Sequence, residues 1–178
     1  MGYSAFNLLF TKNVPHVLQM IFLSLDYESF KKCMEVSHVW KRLLNSATIK
    51  KKAKSVYQGG ILKDEKKLLQ ESWLGNEKVV RRLLLIGILD VNCALDLYHD
   101  TPLMSAANRG HTGVVKLLLD AGADPNKINN AGWTALHSAA LHGCAEMAQL
   151  LMERGAEPDK NALTLVSICK RKFQINFD

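Results

Sequence analysis

The sequence predicts an all-α fold of short paired helices that repeat and stack, and a period of 33 residues is the main reason. The run Thr101–Ala107 (TPLMSAA) recurs 33 positions later as Thr134–Ala140 (TALHSAA). Two leucine pairs, Leu117-Leu118 and Leu150-Leu151, are separated by the same offset. A unit of this length cannot bury its own apolar face, so it buries that face against its neighbours in a stack.

Helix start and stop signals recur inside each full repeat. Thr101 and Thr134 are predicted N-caps, because a threonine hydroxyl can accept a hydrogen bond from the backbone of the first turn. Pro102 suits the first helical position, where its missing N–H costs nothing. Gly122 and Gly155 are expected to end the second helices in the left-handed conformation. The sequence therefore predicts helix-turn-helix repeats joined by short β-turns.

Three repeats are predicted, at about residues 65–95, 96–128 and 129–161. The first is degenerate: its leucine pairs are present, but the Thr-Pro-Leu-His turn is not. Terminal repeats of a stack are usually atypical. Residues 162–178 contain no further turn motif and are expected to form a divergent or truncated C-terminal tail.

The turn sequences carry a family resemblance. With Thr-Pro-Leu-His-x-Ala as the start of a 33-residue period, each unit resembles an ankyrin repeat, and the resemblance covers about 95 residues. It implies an ankyrin-repeat solenoid that binds protein partners. It also implies that His137 hydrogen-bonds between repeats and that Met104 lacks this bond, because it replaces the histidine.

The first third of the chain differs from the rest in charge. Residues 1–60 contain 9 Lys/Arg and 3 Asp/Glu, which gives +6 and equals the net charge of the whole chain. Apolar periodicity predicts three short helices between Val14 and Leu44. So small a segment buries too little surface to be stable alone. Its surplus apolar face should therefore contact something else.

This segment resembles an F-box in the run from Val14-Pro15 to Leu43-Leu44. The more specific half is Leu-Asp-x-x-Ser-Phe-x-x-Cys-x-x-Val-Ser-x-x-Trp-x-x-Leu, from Leu25 to Leu43. The implied organisation is an F-box three-helix segment at 12–48, a basic helical linker at 49–64, and then the repeats. The resemblance implies a surface for a Skp-type adaptor made of Pro15, Leu18, Ile21, Phe22, Leu25, Val36 and Trp40.

Together the two resemblances imply the substrate-recognition subunit of an SCF-type cullin–RING ubiquitin ligase. The F-box would bind a Skp adaptor and, through it, cullin, while the repeats would hold an unknown protein substrate. Two alternatives stay open: a non-ligase ankyrin scaffold or inhibitor of one protein partner, and a pathogen-style mimic of the ligase subunit. The N-terminal apolar residues could also pack on the first repeat near Leu68-Leu69.

No catalytic, cofactor-binding or metal-binding residues are predicted, so an enzyme is not expected. Cys33, Cys93, Cys144 and Cys169 are far apart and fit free thiols in a reducing compartment, cytoplasmic or nuclear. No apolar run is long enough to span a membrane. The cluster Lys50–Lys54 could be an import signal or a nucleic-acid contact, but no aromatic residues are interleaved with it. A solvated helix face is preferred, and no nucleic-acid partner is predicted.

Partner-binding residues are expected at turn tips and on the exposed side of the first helices. Tyr98 and Trp133 are the leading candidates, because exposed aromatic residues are common in binding hot spots. The alternative for both is packing against the neighbouring turn. The full set of candidates is Leu97, Tyr98, Asp100, Ser105, Asn108, Arg109, Asn130, Trp133, Ser138, Leu141 and His142.

Overall fold

The computed structural model describes residues 24–36 and 47–158 of the chain. In these ranges it contains α-helices and no β-strand, which confirms the predicted all-α fold. The chain divides into two compact units, residues 1–60 and 61–178. Each unit is described by itself below.

In the first unit the described helices are α1 (Tyr27–Val36) and α2 (Ala47–Val56). The side chain of Asp26 caps α1: the backbone N–H of Ser29 donates to Oδ1 at 2.9 Å and the Ser29 hydroxyl to Oδ2 at 2.6 Å. These hydrogen bonds lower the pKa of the Asp26 carboxyl, because they favour its charged form. α1 begins directly after this cap, inside the segment where the sequence predicts short helices.

A small aromatic cluster forms the core of the first unit. Phe30 and Met34 of α1 are fully buried, and the Tyr57 ring stacks on Phe30 with ring centres 4.7 Å apart. The Tyr57 hydroxyl donates to the backbone oxygen of Leu25 at 3.1 Å. Burial raises the pKa of Tyr57, and the charges of Asp26 and Cys33 add to the effect. A Cβ at Gly60 would run into the Tyr27 ring, so glycine is required there.

In the second unit three helix pairs follow one another. The helix α3 (Gln58–Leu74), which begins at the end of the first unit, precedes α4 (Glu77–Leu84). The next pair is α5 (Pro102–Asn108) and α6 (Thr112–Asp120), and the last is α7 (Ala135–Leu141) and α8 (Ala145–Glu153). Between pairs, α5 packs on α7, and α6 packs on both α4 and α8. The repeats therefore stack in two layers.

The core of the stack runs through all three pairs. Its side chains are mostly small and aliphatic, which lets the helices approach closely. Those fully buried in the three pairs include Leu68, Val80, Val114, Val115, Leu118, Leu136, Met147 and Leu151.

The predicted helix caps are confirmed. The Thr101 hydroxyl accepts from Met104 N at 3.3 Å, and the Thr134 hydroxyl accepts from His137 N at 3.4 Å. Pro102 occupies the first turn of α5. The imidazole Nδ1 of His137 accepts from Thr134 N at 3.2 Å, so this histidine completes the cap of its own helix. Its bond between repeats stays a prediction.

Both predicted terminating glycines are also confirmed. Gly122 and Gly155 have φ angles of +88° and +90°, a region in which a side chain would be strained.

Asparagine side chains join consecutive repeats at the turns that follow the second helices. Oδ1 of Asn92 accepts from Asp124 N at 2.8 Å, and Oδ1 of Asn126 accepts from Glu157 N at 2.8 Å. Nδ2 of Asn126 also donates to the backbone oxygen of Gly155 at 2.9 Å. These bonds satisfy backbone groups of one repeat with side chains of the repeat before it.

The limits of the described residues affect several expectations. Most of the predicted F-box range and the whole tail at 162–178 lie outside them. The proposed linker, 49–64, contains the end of α2 and the beginning of α3. Within the described parts, no helix is both long and apolar enough to cross a bilayer.

Candidate functional site

An open groove of about 550 Å³ lies between the turn that precedes α5 and the C-terminal end of α3. One side is the segment 95–100, the floor includes α5, and the far side is Trp73. The groove is lined by Trp73, Leu95, Asp96, Leu97, Tyr98, Asp100, Ser105 and Asn108. All of these residues belong to the second unit.

The turn 96–100 is held by the side chain of Asp96 and contains one strained residue. Oδ1 of Asp96 accepts from Asp100 N at 2.7 Å. His99 has a φ of +57°, the one positive φ of a non-glycine residue in the described chain. At the same point of the next repeat, 33 residues later, Gly132 has a φ of +74°. Such strain is concentrated at functional sites.

Five of the predicted binding residues line this groove. Leu97 and Tyr98 stand at the turn tip with 91% and 71% of their surfaces exposed. Neither the Tyr98 ring nor its hydroxyl has a partner among the described residues. Packing against a neighbouring turn therefore does not explain Tyr98. The other predicted residues in the lining are Asp100, Ser105 and Asn108.

Ser105 and Ser138 do not lie on an exposed helix face as the sequence had suggested. They are only 6% and 9% exposed. Ser105 still reaches the groove, as part of its floor. Ser138 does not line the groove, so it offers a partner little surface.

The sequence missed Trp73, Leu95 and Asp96. Trp73 belongs to the degenerate first repeat. Because that repeat lacks the turn motif, the position of Trp73 could not be aligned with the binding positions of the later repeats. The Arg109 guanidinium lies over the Trp73 ring, 4.0 Å from its centre, in a cation–π contact. Arg109, a predicted binding residue, therefore borders the groove by holding one of its sides.

The candidates of the last repeat connect to the groove through hydrogen bonds. Asn130 N donates to the Tyr98 backbone oxygen at 3.0 Å, and Asn130 Nδ2 donates to the Leu97 oxygen at 3.2 Å. The His142 ring lies 2.6 Å from Oδ1 of Asn108, measured from Nε2. Asn130 and His142 thus hold the edges of the groove in place.

Trp133 and Leu141 do not line the groove. The Trp133 ring stacks on His137 with centres 6.0 Å apart and is 37% exposed. The alternative to partner binding, packing of Trp133 within its own repeat, therefore explains why much of the Trp133 surface is buried. Leu141 is exposed at the end of α7.

Of the predicted adaptor-binding residues, only Leu25 has a described side chain. It is half-buried, and its backbone oxygen accepts the Tyr57 hydroxyl. Val36 is the last residue of α1. Pro15, Leu18, Ile21, Phe22 and Trp40 lie outside the described residues.

The chemistry of the site is that of contact and hydrogen bonding. No group of three or more potential metal ligands occurs in the described ranges. The buried thiol at Cys93 is not an activated nucleophile, because burial raises its pKa to about 12. The groove offers carboxylates, two aromatic rings and apolar side chains, which suit the recognition of another polypeptide.

Comparison with known families decides what the repeats are. Residues 68–162, more than half of the 178, match the family model described as ankyrin repeats, in three copies. The chain is an ankyrin-repeat protein. Proteins of this family generally bind other proteins and act as non-catalytic scaffolds, and binding of a protein partner follows for this chain. The same comparison detects no F-box domain.

Three curated proteins show how far the likeness extends. The ankyrin-repeat chain is 47% identical to Protein HOS4 of Saccharomyces cerevisiae over 63 residues, 35% of this chain and 6% of that protein. It is 44% identical over 69 residues to the putative ankyrin repeat protein FPV219 of Fowlpox virus, 39% of this chain and 16% of the viral one. FPV244 of the same virus is 45% identical over 62 residues, 35% of this chain and 9% of that protein. The chain thus matches only a small part of each relative's length.

Proposed function

We propose that this ankyrin-repeat protein is the substrate-recognition subunit of an SCF-type cullin–RING ubiquitin ligase. Its repeats hold a target protein at the groove beside Tyr98, and its N-terminal segment docks on a Skp-type adaptor. The adaptor carries the cullin, and the chain itself performs no catalysis. It would work in the cytoplasm, the nucleus or both.

One observation supports the N-terminal half of this proposal more than any other. The described part of the F-box-like run forms a helix, α1, whose start is fixed by the Asp26 cap. Phe30 and Met34, which belong to that run, are fully buried there. The described part of the run is thus helical and packed, which supports a folded segment that could dock on a partner.

The target-binding half is supported by the groove. Leu97 and Tyr98 expose large apolar surfaces at the tip of a turn whose backbone is strained at His99. Folding gains nothing from such exposure, whereas an interface would bury it.

Recovery of the Skp adaptor tests the first half. The wild-type chain, expressed in cells, should retain the adaptor in a pull-down, and Ile21→Asp with Trp40→Asp should abolish this. Val56→Asp, a substitution of an exposed apolar residue on α2, is the matched control and should retain the adaptor. Equal recovery with the double variant, or none with wild type, would overturn the adaptor proposal.

Target turnover separates the ligase from a plain scaffold. Proteins captured by the wild type but not by Tyr98→Ala are the candidate targets. Ile128→Ala, an exposed apolar residue outside the groove, is the control for that variant. Under the ligase proposal the candidate targets accumulate when residues 14–44 are deleted. If they are captured yet their lifetimes do not change, the chain is a scaffold or inhibitor instead.

A further inference from the structure

The floor of the groove includes Ser105, one member of a row of serines that recurs in the repeats. Ser72, Ser105 and Ser138 occupy the same position in α3, α5 and α7, at intervals of 33 residues. Because the Ser105 side chain is short, the groove between Trp73 and the turn 95–100 stays open above it. Its hydroxyl forms no hydrogen bond with the described residues, although the residue is 94% buried. Among the described residues, the fully enclosed side-chain oxygen without a partner is that of Ser72; the Ser105 oxygen is not fully enclosed and can be reached from the groove.

The wall above this floor is acidic, and its charge is not compensated. Asp96 and Asp100 both line the groove. Their Oδ1 atoms accept from neutral donors, Asp100 N for Asp96 and Asn129 Nδ2 for Asp100, at 2.7 and 2.8 Å. No lysine or arginine of the described chain forms an ion pair with either carboxylate. Two negative charges thus face the same space.

The cation that borders the groove does not neutralise them. Arg109 lies over the Trp73 ring, so its guanidinium faces an aromatic surface rather than the carboxylates. The apolar part of the lining comes from Leu95, Leu97 and Tyr98, which line the same wall as the two aspartates. A ligand that fits must therefore combine an apolar stem with a positively charged end.

We propose that the groove binds the side chain of a lysine or arginine presented by an extended segment of the partner protein. The aliphatic stem lies along Leu95 and Leu97, and the charged end reaches Asp96, Asp100 and the Ser105 hydroxyl. The exposed ring of Tyr98 adds a cation–π surface. This inference rests on the proposed role of the groove in protein binding and adds the chemistry of what it recognises.

A matched set of synthetic peptides tests this assignment. The probe is acetyl-Gly-Ser-Ala-Arg-Ala-Ser-Gly-amide, and its two counterparts carry norleucine or glutamate in place of arginine. Titration into the full ¹⁵N-labelled chain should shift the amide signals of Tyr98, Ser105 and Asn108 with the arginine peptide. Its affinity should exceed that of the norleucine peptide by about tenfold and should fall with added salt. Equal shifts with arginine and norleucine would overturn the proposal.

Removal of the two carboxylate charges of the groove provides a second test of the proposal. Asp96→Asn with Asp100→Asn keeps the oxygen atoms that accept the turn hydrogen bonds, so the turn should stay intact. This double variant should bind the arginine peptide about as weakly as the norleucine peptide. Asp124→Asn, a turn carboxylate outside the groove, is the matched control and should bind like wild type. Undiminished binding by the double variant would contradict the assignment, and the salt dependence of the wild type tests it even if that variant fails to fold.

The same variants distinguish failure of this inference from failure of the proposed function. If a cellular partner is lost with Tyr98→Ala but retained by the double asparagine variant, the groove binds protein without requiring a cation. If neither variant changes any partner, the role of the groove itself is wrong.

Discussion

Cys93, in the turn after α4, shows how burial sets the chemistry of a single side chain. The thiol is buried, and its sulfur lies 3.7 Å from the backbone oxygen of Glu65. Burial is the largest cause of its raised pKa, and the negative charges of Glu65 and Asp90 add to it. The folded chain therefore keeps this thiol protonated well above the pH at which a free thiol ionises.

Thiol alkylation should reveal this protection. With iodoacetamide at about pH 8.5, Cys93 should react at least on the order of tenfold more slowly than the half-buried Cys144, since the thiolate is the nucleophile. In urea the two rates should converge. Similar rates in the folded chain, measured by mass spectrometry of the labelled peptides, would contradict the burial of Cys93.

The same group also makes stability depend on pH. Its pKa is about 12 in the folded chain, against an ordinary value of 9.0. Between these values the folded state holds a proton that the unfolded state has released. The free energy of unfolding should therefore fall as pH rises through this window, and the stabilisation is fully present below it.

Links between helix pairs are the main feature at the scale of elements. Asn126 joins its own repeat to the next through one donated and one accepted hydrogen bond. Replacement by alanine removes both and leaves the backbone groups of Gly155 and Glu157 to solvent. We expect Asn126→Ala to lower the free energy of unfolding by about 1–2 kcal/mol.

Urea unfolding followed by circular dichroism measures this loss. The control is Asn76→Ala, because the side chain of Asn76 precedes α4 without forming a capping hydrogen bond. Its effect should stay within about 0.5 kcal/mol. Equal effects of the two substitutions would show that the link between repeats contributes nothing.

Elements were predictable where local rules fix them. The threonine caps, Pro102 and the terminating glycines follow from the backbone needs of a helix end, and each is visible in the sequence. The groove was only partly predictable. Tyr98 and Asp100 could be found from the repeat position, whereas Trp73 could not, because its contact with Arg109 spans 36 positions and two different repeats.

Burial was harder to predict from the sequence than position. The repeat pattern places Ser105 and Ser138 correctly on the first helices of their pairs, but it does not show how little of their surface stays exposed. The stacking of Trp133 on His137 could not be predicted from the sequence either. An aromatic residue at a turn tip can contact solvent or lie on its own helix cap, and the repeat pattern does not distinguish the two.

At the scale of the whole stack, α6 holds the central place. It packs on both α4 and α8, and its Leu118 is fully buried. Stability of a repeat stack is a sum of repeats and their interfaces, so damage in the middle repeat weakens both neighbours. Leu118→Ala should lower the free energy of unfolding by about 2–5 kcal/mol.

Hydrogen exchange would show the spread of this effect. In Leu118→Ala, amide protection should decrease in α4 and α8 as well as in α6. Leu141→Ala, at an exposed position, should leave all three unchanged. If amide protection decreased in α6 alone, the stabilities of the repeats would not be coupled.

The asparagine links also determine how the stack would respond to a pulling force. The Asn92 side chain bonds to the turn at Asp124, and the Asn126 side chain bonds to Gly155 and Glu157, so each of these links joins one repeat to the next. Tension applied at one end would load these links one after another rather than together. Each repeat of 33 residues that detached would release roughly 110 Å of extended chain. A stack joined in this way would lengthen in steps under load and shorten again as its repeats re-formed.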